Sequence, residues 1–170
     1  EIRKIKENDN FKIKDVLISV MREFDVPENG TALADPELDD MFGSYQNPRS
    51  IYFVVIVENQ VLGGAGVNAL KGENENICEI QKMYFKPKIR NLGIGKKLIE
   101  KCIKFAKITG YEFCYIETMH NMKDAQNLYK KNDFSYIDRP LGNTGHTSCP
   151  VWMLKLSLIH ISEPTRPTPI

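Results

Sequence analysis

Arg90, Gly93 and Gly95, with Lys96 and Lys97 directly behind, are the residues whose types and spacing could act chemically as a unit. Glycines in the first turn of a helix let a ligand approach backbone N–H groups that have no intrahelical acceptor. The positive end of the helix dipole favours an anion at the same place. With three cationic side chains nearby, the chemistry is capture of a phosphate or pyrophosphate, although the same two glycines could serve only a tight turn. Two other phosphate loops do not fit. A Walker loop needs Ser or Thr where Lys97 stands, and a dinucleotide fingerprint needs a third glycine where Leu98 stands. A second chemical group is Glu79, a carboxylate inside an otherwise apolar run, where desolvation would raise its pKa and make it a general base. The alternatives for Glu79 are a solvated strand position or a pair with Lys82. Glu117, in a later apolar run, is the runner-up base.

The elements that must position these groups follow from periodicity. Residues 77–85 are β-branched and aromatic, with Ile77, Glu79, Gln81, Met83 and Phe85 expected on one face and Cys78, Ile80, Lys82 and Tyr84 on the other. Leu92, Ile94, Leu98, Cys102, Phe105 and Ala106 then recur at helical spacing until Gly110, a helix stop. A helix from Asn10 carries Phe11, Ile13, Val16, Leu17, Val20, Met21 and Phe24, with Asp9 or Asn10 able to cap it. Asp35-Pro36-Glu37 predicts a second helix reaching about Tyr45, with Asp35 as its cap. Residues 51–58 and 61–69 predict a hairpin turning at Asn59-Gln60, and Gly63, Gly64 and Gly66 mark a bulge or a close approach. A strand over 111–118, a short helix over 123–132 and closing strands at 134–137 and 151–155 complete the pattern. The order is that of an α/β domain with a mixed sheet.

Arg-x-x-Gly-x-Gly after a strand, as Arg90, Gly93 and Gly95 stand, resembles the acetyl-coenzyme A site of the GNAT superfamily of N-acetyltransferases. Asn121, Ala125, Leu128, Tyr129 and Phe134 resemble the family's second block, with Asp133 in place of its usual glycine. The resemblance implies a mostly antiparallel mixed sheet with a splayed parallel strand pair, flanked by helices, and an acyl arm lying in the splay. It implies acetyl-coenzyme A as co-substrate, no metal, and direct transfer to a primary amine. It places the pyrophosphate against Arg90, Asn91, Leu92, Gly93, Ile94, Gly95 and Lys96. The carbonyl would meet the backbone N–H of Met83, and the pantetheine arm the main chain of Tyr84 and Phe85 and the side chain of Asn121. Glu79 falls at the family's base position, and Tyr129 matches the tyrosine that gives a proton to the departing thiolate. A different class of answer is a non-catalytic acyl-coenzyme A binding or sensing module.

Composition is that of an ordinary globular protein: 170 residues, 42% hydrophobic and 26% charged, with net charge +1. The charge balance argues against nucleic-acid binding, and no apolar run is expected to be long enough to span a membrane. The four cysteines have no C-x-x-C spacing, which suits free thiols in a cytoplasmic protein, expected as a monomer or homodimer. The loop 141–149 holds His146 and Cys149 with no charged partner nearby in sequence. His146 is expected as an ordinary loop residue or a substrate contact, and a covalent cysteine is disfavoured. Asp35, Glu37, Asp39 and Asp40 form an acidic segment, either a rim favouring a cationic amine or a solvated capping cluster. The single domain is expected over 1–155. Residues 156–170 resemble the in-frame translation of a transposase-type sequencing-library adapter, so they are expected to be read-through or a disordered tail.

Overall fold

A computed structural model describes residues 1–158 of the chain. Seven strands form one sheet: β1 (Ile2–Lys4), β2 (Ile51–Val57), β3 (Gln60–Ala69), β4 (Ile77–Phe85), β5 (Phe113–Thr118), β6 (Ser135–Ile137) and β7 (Val151–Lys155). Their spatial order is β1-β2-β3-β4-β5-β7-β6. Every neighbouring pair is antiparallel except β4 and β5, which run parallel. That pair is in register only from Ile77 to Glu79 against Phe113 to Tyr115, so beyond these residues the two strands part. The expected mixed sheet with a splayed parallel pair is therefore what the chain forms.

One long helix covers one face and two helices the other, because each carries one apolar stripe. On α1 (Asn10–Glu23), Ile13, Val16, Leu17, Val20 and Met21 are buried against Tyr52, Val54 and Val61. On α3 (Ile94–Ile108), Leu98, Ile99, Cys102 and Ala106 pack with Phe53, Val67, Cys78, Ile80, Cys114, Ile116 and Met153 on the opposite face. The short α4 (Lys123–Lys131) joins the α3 side through Ala125, Leu128 and Tyr129. Asp133 takes the left-handed backbone, φ 69, that a glycine would otherwise occupy, and the helix closes with Phe134 N–H donating to the Tyr129 carbonyl.

The strict alternation expected along β4 is broken, and this correction matters for the site. Gly64 pairs with Tyr84 and Gly66 with Gln81, so Lys82 and Met83 together stand opposite Ala65. This is a β-bulge, with Lys82 in the left-handed region at φ 50. A non-glycine residue there costs about 1–2 kcal/mol. The extra residue reverses the phase of the strand: Cys78, Ile80, Met83 and Phe85 face the α3 side, while Tyr84 joins the α1 side. Met83 and Phe85 therefore do not share a face with Glu79. The glycines of β3 make room for the brace. A Cβ at Gly64 or Gly66 would lie 2.5 or 2.6 Å from the Tyr52 ring, and that ring reaches across β3 so that its hydroxyl donates to the Lys82 carbonyl at 2.7 Å.

Three other expectations change. The hairpin turns at Glu58 and Asn59, both with positive φ (50 and 64), and Gln60 already pairs with Val57. The helix predicted from Asp35 is instead a 3₁₀ turn, Pro36–Asp39, followed by α2 (Met41–Ser44), because Asp40 interrupts and caps the latter through its carboxylate and the Gly43 N–H. Asp35 makes no capping bond. Asp9 does not cap α1 either; its buried carboxylate takes Arg3 and the Lys6 N–H, and Asn10 accepts from the Phe42 N–H. Beyond β7, Leu158 is buried in the α3-side core and its N–H donates to the Glu112 carbonyl. The rest of the segment expected to be read-through, residues 159–170, lies outside the described residues.

Candidate active site

The splay between β4 and β5 opens into a cleft of about 680 Å³. One end is the start of α3, where Gly93 sits at the cap with φ 78 and no side chain caps the helix. Helix geometry leaves the N–H groups of Ile94, Gly95 and Lys96 without intrahelical acceptors. Gly93 is glycine for its backbone: a Cβ there would meet nothing within 4 Å, but its φ is hostile to side chains. Gly95 is glycine for space, since a Cβ would come 3.0 Å from Leu128 of α4. Met83, Tyr84, Phe85, Arg90, Asn91, Gly93, Gly95, Lys96 and Asn121 line this cleft together with Tyr129. Leu92 and Ile94 do not line it, and Leu92 is exposed.

Two expected cleft residues are held by the end of α1. The Arg90 guanidinium is bidentate to Glu23 at 2.6 and 2.8 Å and also donates to the Phe85 carbonyl, so part of its charge is neutralised and its placement ties β4 to α1. Asn121 donates to the Phe24 carbonyl at 2.8 Å. Tyr129 is 4% exposed, and burial pushes its phenol above the ordinary value, so it stays protonated at neutral pH.

Glu79 lies in a separate cavity on the α1 face of the sheet, about 30 Å³ in volume, roughly the share of one water. Burial pushes its carboxyl up to about 7, opposed by a hydrogen bond from Gln81 at 2.8 Å and reinforced by Glu117. Glu117 is more heavily engaged: it accepts from Tyr115 at 2.7 Å and from Thr144 at 2.6 Å. Of the two carboxylates, Glu79 is the one with an oxygen that accepts no hydrogen bond among the described residues. Tyr84 lines both the cleft and this cavity.

Sequence reasoning missed the partners of His146. The loop 138–150 folds over the cavity and places the imidazole with Nε2 2.8 Å from Asp35 and Nδ1 3.6 Å from Glu117. Burial alone would lower its pKa, but Asp35 and Glu117 outweigh it and hold His146 up at about 9, so it is cationic at neutral pH. Asp35 also takes the ammonium of Lys82, buried at 4% side-chain exposure, at 2.7 Å. Burial works against the Asp35 carboxylate, yet these two cations keep it below its ordinary range. The other acids of its segment are engaged elsewhere: Glu37 with Lys71, Asp39 with Lys14, and Asp40 at the start of α2. No acidic rim forms from them. Cys149 also lines the cavity, but burial pushes its thiol up to about 12, which leaves it protonated and a poor nucleophile. Nothing in the local sequence around His146 signals its partners, which lie 111 and 29 residues away; the histidine and glycines of a long loop were the only hint.

A seven-stranded mixed sheet that parts between two parallel strands, beside an uncapped glycine-rich helix start, defines an acyltransferase-like α/β architecture. The sequence matches the profile of the Acetyltransferase (GNAT) family over residues 18–134. The chain is 40% identical over 155 residues to the uncharacterized N-acetyltransferase YjgM of Escherichia coli (strain K12), covering 91% of this chain and 93% of that one. The fold is similar to that of a GNAT-family acetyltransferase from Staphylococcus aureus Mu50, with a TM-score of 0.81 at 22% identity, covering 92% of this chain and 98% of that one. An acetyltransferase from Streptococcus agalactiae 2603 superposes with a TM-score of 0.73 at 18% identity, over 92% and 97% of the two chains. The chain belongs to the GNAT family of acetyltransferases.

Proposed function

We propose that this acetyltransferase moves an acetyl group from acetyl-coenzyme A to a primary amine by direct transfer, with Glu79 as general base and Tyr129 as general acid. The observation that carries the reading is the arrangement around β4. The end of the strand, Met83 to Phe85, lines the cleft beside its uncapped helix start, and Glu79, raised to about 7, stands earlier on the strand in a cavity on the α1 face, with Tyr84 lining both.

The residues of the cleft fit the coenzyme. The amides of residues 94–96, the Gly93 turn and Lys96 would hold the pyrophosphate, and Asn91, Leu92 and Ile94 would support that turn through their backbone. Main-chain groups of Tyr84 and Phe85, with Asn121, would pair with the pantetheine arm as an added strand does. When bound, acetyl-coenzyme A supplies an activated thioester. The N–H of Met83, beside the bulge, would donate to the carbonyl oxygen. Glu79 would take the proton of the ammonium from its cavity, whose Tyr84 wall is shared with the cleft. A carboxylate with a pKa near 7 is matched to that task at neutral pH, directly or through a water of the size its cavity admits. Tyr129 donates to the leaving thiolate.

The test is thiol release from acetyl-coenzyme A in the presence of a panel of primary amines, with Glu79→Gln alongside. Amine-dependent release that collapses in the variant, while calorimetry still detects coenzyme A binding, supports the reading. Coenzyme binding with no amine-dependent release in the unaltered protein would instead support a binding or sensing module.

A further inference from the structure

β4 and β5 share a ladder only as far as Glu79 and Tyr115, so the cleft that opens beyond it needs another support. The end of α1 reaches both walls. On the side of β4, Glu23 accepts from the Arg90 guanidinium through both carboxylate oxygens, at 2.6 and 2.8 Å. On the side of β5, the Phe24 carbonyl accepts from the Asn121 amide at 2.8 Å. The helix by itself explains neither contact. An acid at a C-terminal end opposes the helix dipole, and the carbonyls of a last turn have no intrahelical donor. Val20 and Phe24, from the same end of α1, line the cleft together with Arg90 and Asn121.

Arg90 is the more telling of the two anchors. A guanidinium grips a phosphate through a pair of parallel N–H groups on one of its edges. The edge formed by Nη1 and Nη2 is on Glu23, and the edge formed by Nε and Nη2 is on the Phe85 carbonyl, at 3.0 and 2.8 Å. Its Cζ also lies 5.3 Å from the centroid of the Phe24 ring. Both forks of Arg90 are therefore closed by protein, and no edge faces a phosphate. Lys96 is the opposite case: it lines the cleft and its ammonium makes no hydrogen bond or ion pair among the described residues. Asn121 gives one amide N–H to Phe24 and keeps its second N–H and its oxygen for a ligand.

We infer that the end of α1 is a crossbar that sets the width of the coenzyme cleft, and that Glu23 is a positioning residue holding Arg90 as a strut, not as a phosphate ligand. This rests on the coenzyme reading above and deepens it: the pyrophosphate is left to the amides of residues 94–96 and to Lys96. A cleft held at one width receives the thioester arm without first having to be ordered. Three consequences follow. A lysine at position 90 keeps the charge but has no forked edges, so it cannot replace the strut. The strut serves the whole arm, so its loss is felt by a thioester with or without phosphates. Glu23 and Arg90 act as one unit, so losing either loses both.

The experiment measures coenzyme A binding by calorimetry. With the best amine of the panel above, it also measures thiol release from acetyl-coenzyme A and from S-acetylpantetheine, which has the same thioester arm and no phosphate. Glu23→Gln and Arg90→Lys are each expected to weaken coenzyme A binding about fivefold to tenfold. Each should raise KM for both thioesters by that same factor with a smaller change in kcat, and the double variant should be no worse than either single one. Lys96→Met should instead lose more with acetyl-coenzyme A than with S-acetylpantetheine. Urea midpoints establish that each variant is folded; the Glu23 side chain is 40% exposed, so Glu23→Gln carries the test if Arg90→Lys does not fold. Binding at full strength in either folded variant, tighter binding in Glu23→Gln, a loss confined to acetyl-coenzyme A, or losses that multiply in the double variant would overturn the strut while leaving acetyl transfer standing. Coenzyme binding without release from any amine would overturn the transfer reading alone, and calorimetry would still decide the strut. No coenzyme binding by the unaltered protein would overturn both.

Discussion

The two pockets along β4 are built from different materials. The cleft is a backbone site: bare amides at the start of α3, a left-handed glycine at 93, and the free edge of a parting strand. The cavity is a side-chain site, in which Glu79, Lys82, Glu117 and His146, with Asp35 behind them, are coupled by charge. A backbone site is shaped by local conformation and tolerates varied side chains, which suits a co-substrate common to a whole family. A side-chain site is shaped by who meets whom, which suits an acceptor particular to one protein.

The sharpest way to separate the two is Glu79→Gln. It should lower kcat by about 10²–10⁴, the usual range for a general base, with coenzyme affinity unchanged in calorimetry. In the unaltered protein kcat/KM should rise with pH and level off above about 7 as Glu79 ionises; in the variant that rise should vanish. Tyr129→Phe, acting from the cleft, should lower kcat by about 10–100-fold with little change in acceptor KM, read by steady-state kinetics. Gly93→Val puts a β-branched residue at φ 78 and should weaken coenzyme binding by about tenfold, while the pH rise attributed to Glu79 stays in place. If that rise moves as well, the two sides are not independent.

Smaller effects test the supports. Tyr52→Phe removes the donor to the buried Lys82 carbonyl and should cost about 1–3 kcal/mol of stability, seen as a lower urea midpoint. Stability should also depend on pH in two windows. The folded chain keeps the Glu79 proton that the unfolded chain gives up above 4.5, so stability falls as pH rises from there through about 7. His146 is raised from 6.5 to about 9, so its contribution is complete below 6.5 and disappears as pH climbs through about 9. Glu79→Gln should flatten the first window and His146→Gln the second, in urea midpoints measured across pH.

The same contrast decides what was legible in the sequence. Arg90, Gly93, Gly95 and the stripe of α3 are consecutive or one turn apart, and the requirements of a helix start are written in residue type, so the cleft could be read directly. The cavity could not. Glu79 stood out as a carboxylate in an apolar run, but Asp35, Glu117 and His146 reach it from 44, 38 and 67 residues away, by a strand pairing and a loop closure that no local pattern encodes. Asp35 was misread as a helix cap because Asp-Pro-Glu is a strong local signal; two cations elsewhere in the chain outcompete that role. The bulge was hidden because Lys82 is neither Gly nor Asn, and its left-handed backbone is imposed by Tyr52 from another strand. The hairpin turn was displaced for a similar reason, since Glu58 carries positive φ without the residue type that announces it.

The additional residue at Lys82 lets a single nine-residue segment serve two chambers. Upstream of it, Glu79 and Gln81 line the cavity; downstream, Met83 and Phe85 line the cleft. Without that half-step, one register would point both sets of side chains the same way, and neither pocket could be reshaped without disturbing the other. With it, the two pockets become separate dials on one strand, and an engineer could turn the first while leaving the second alone.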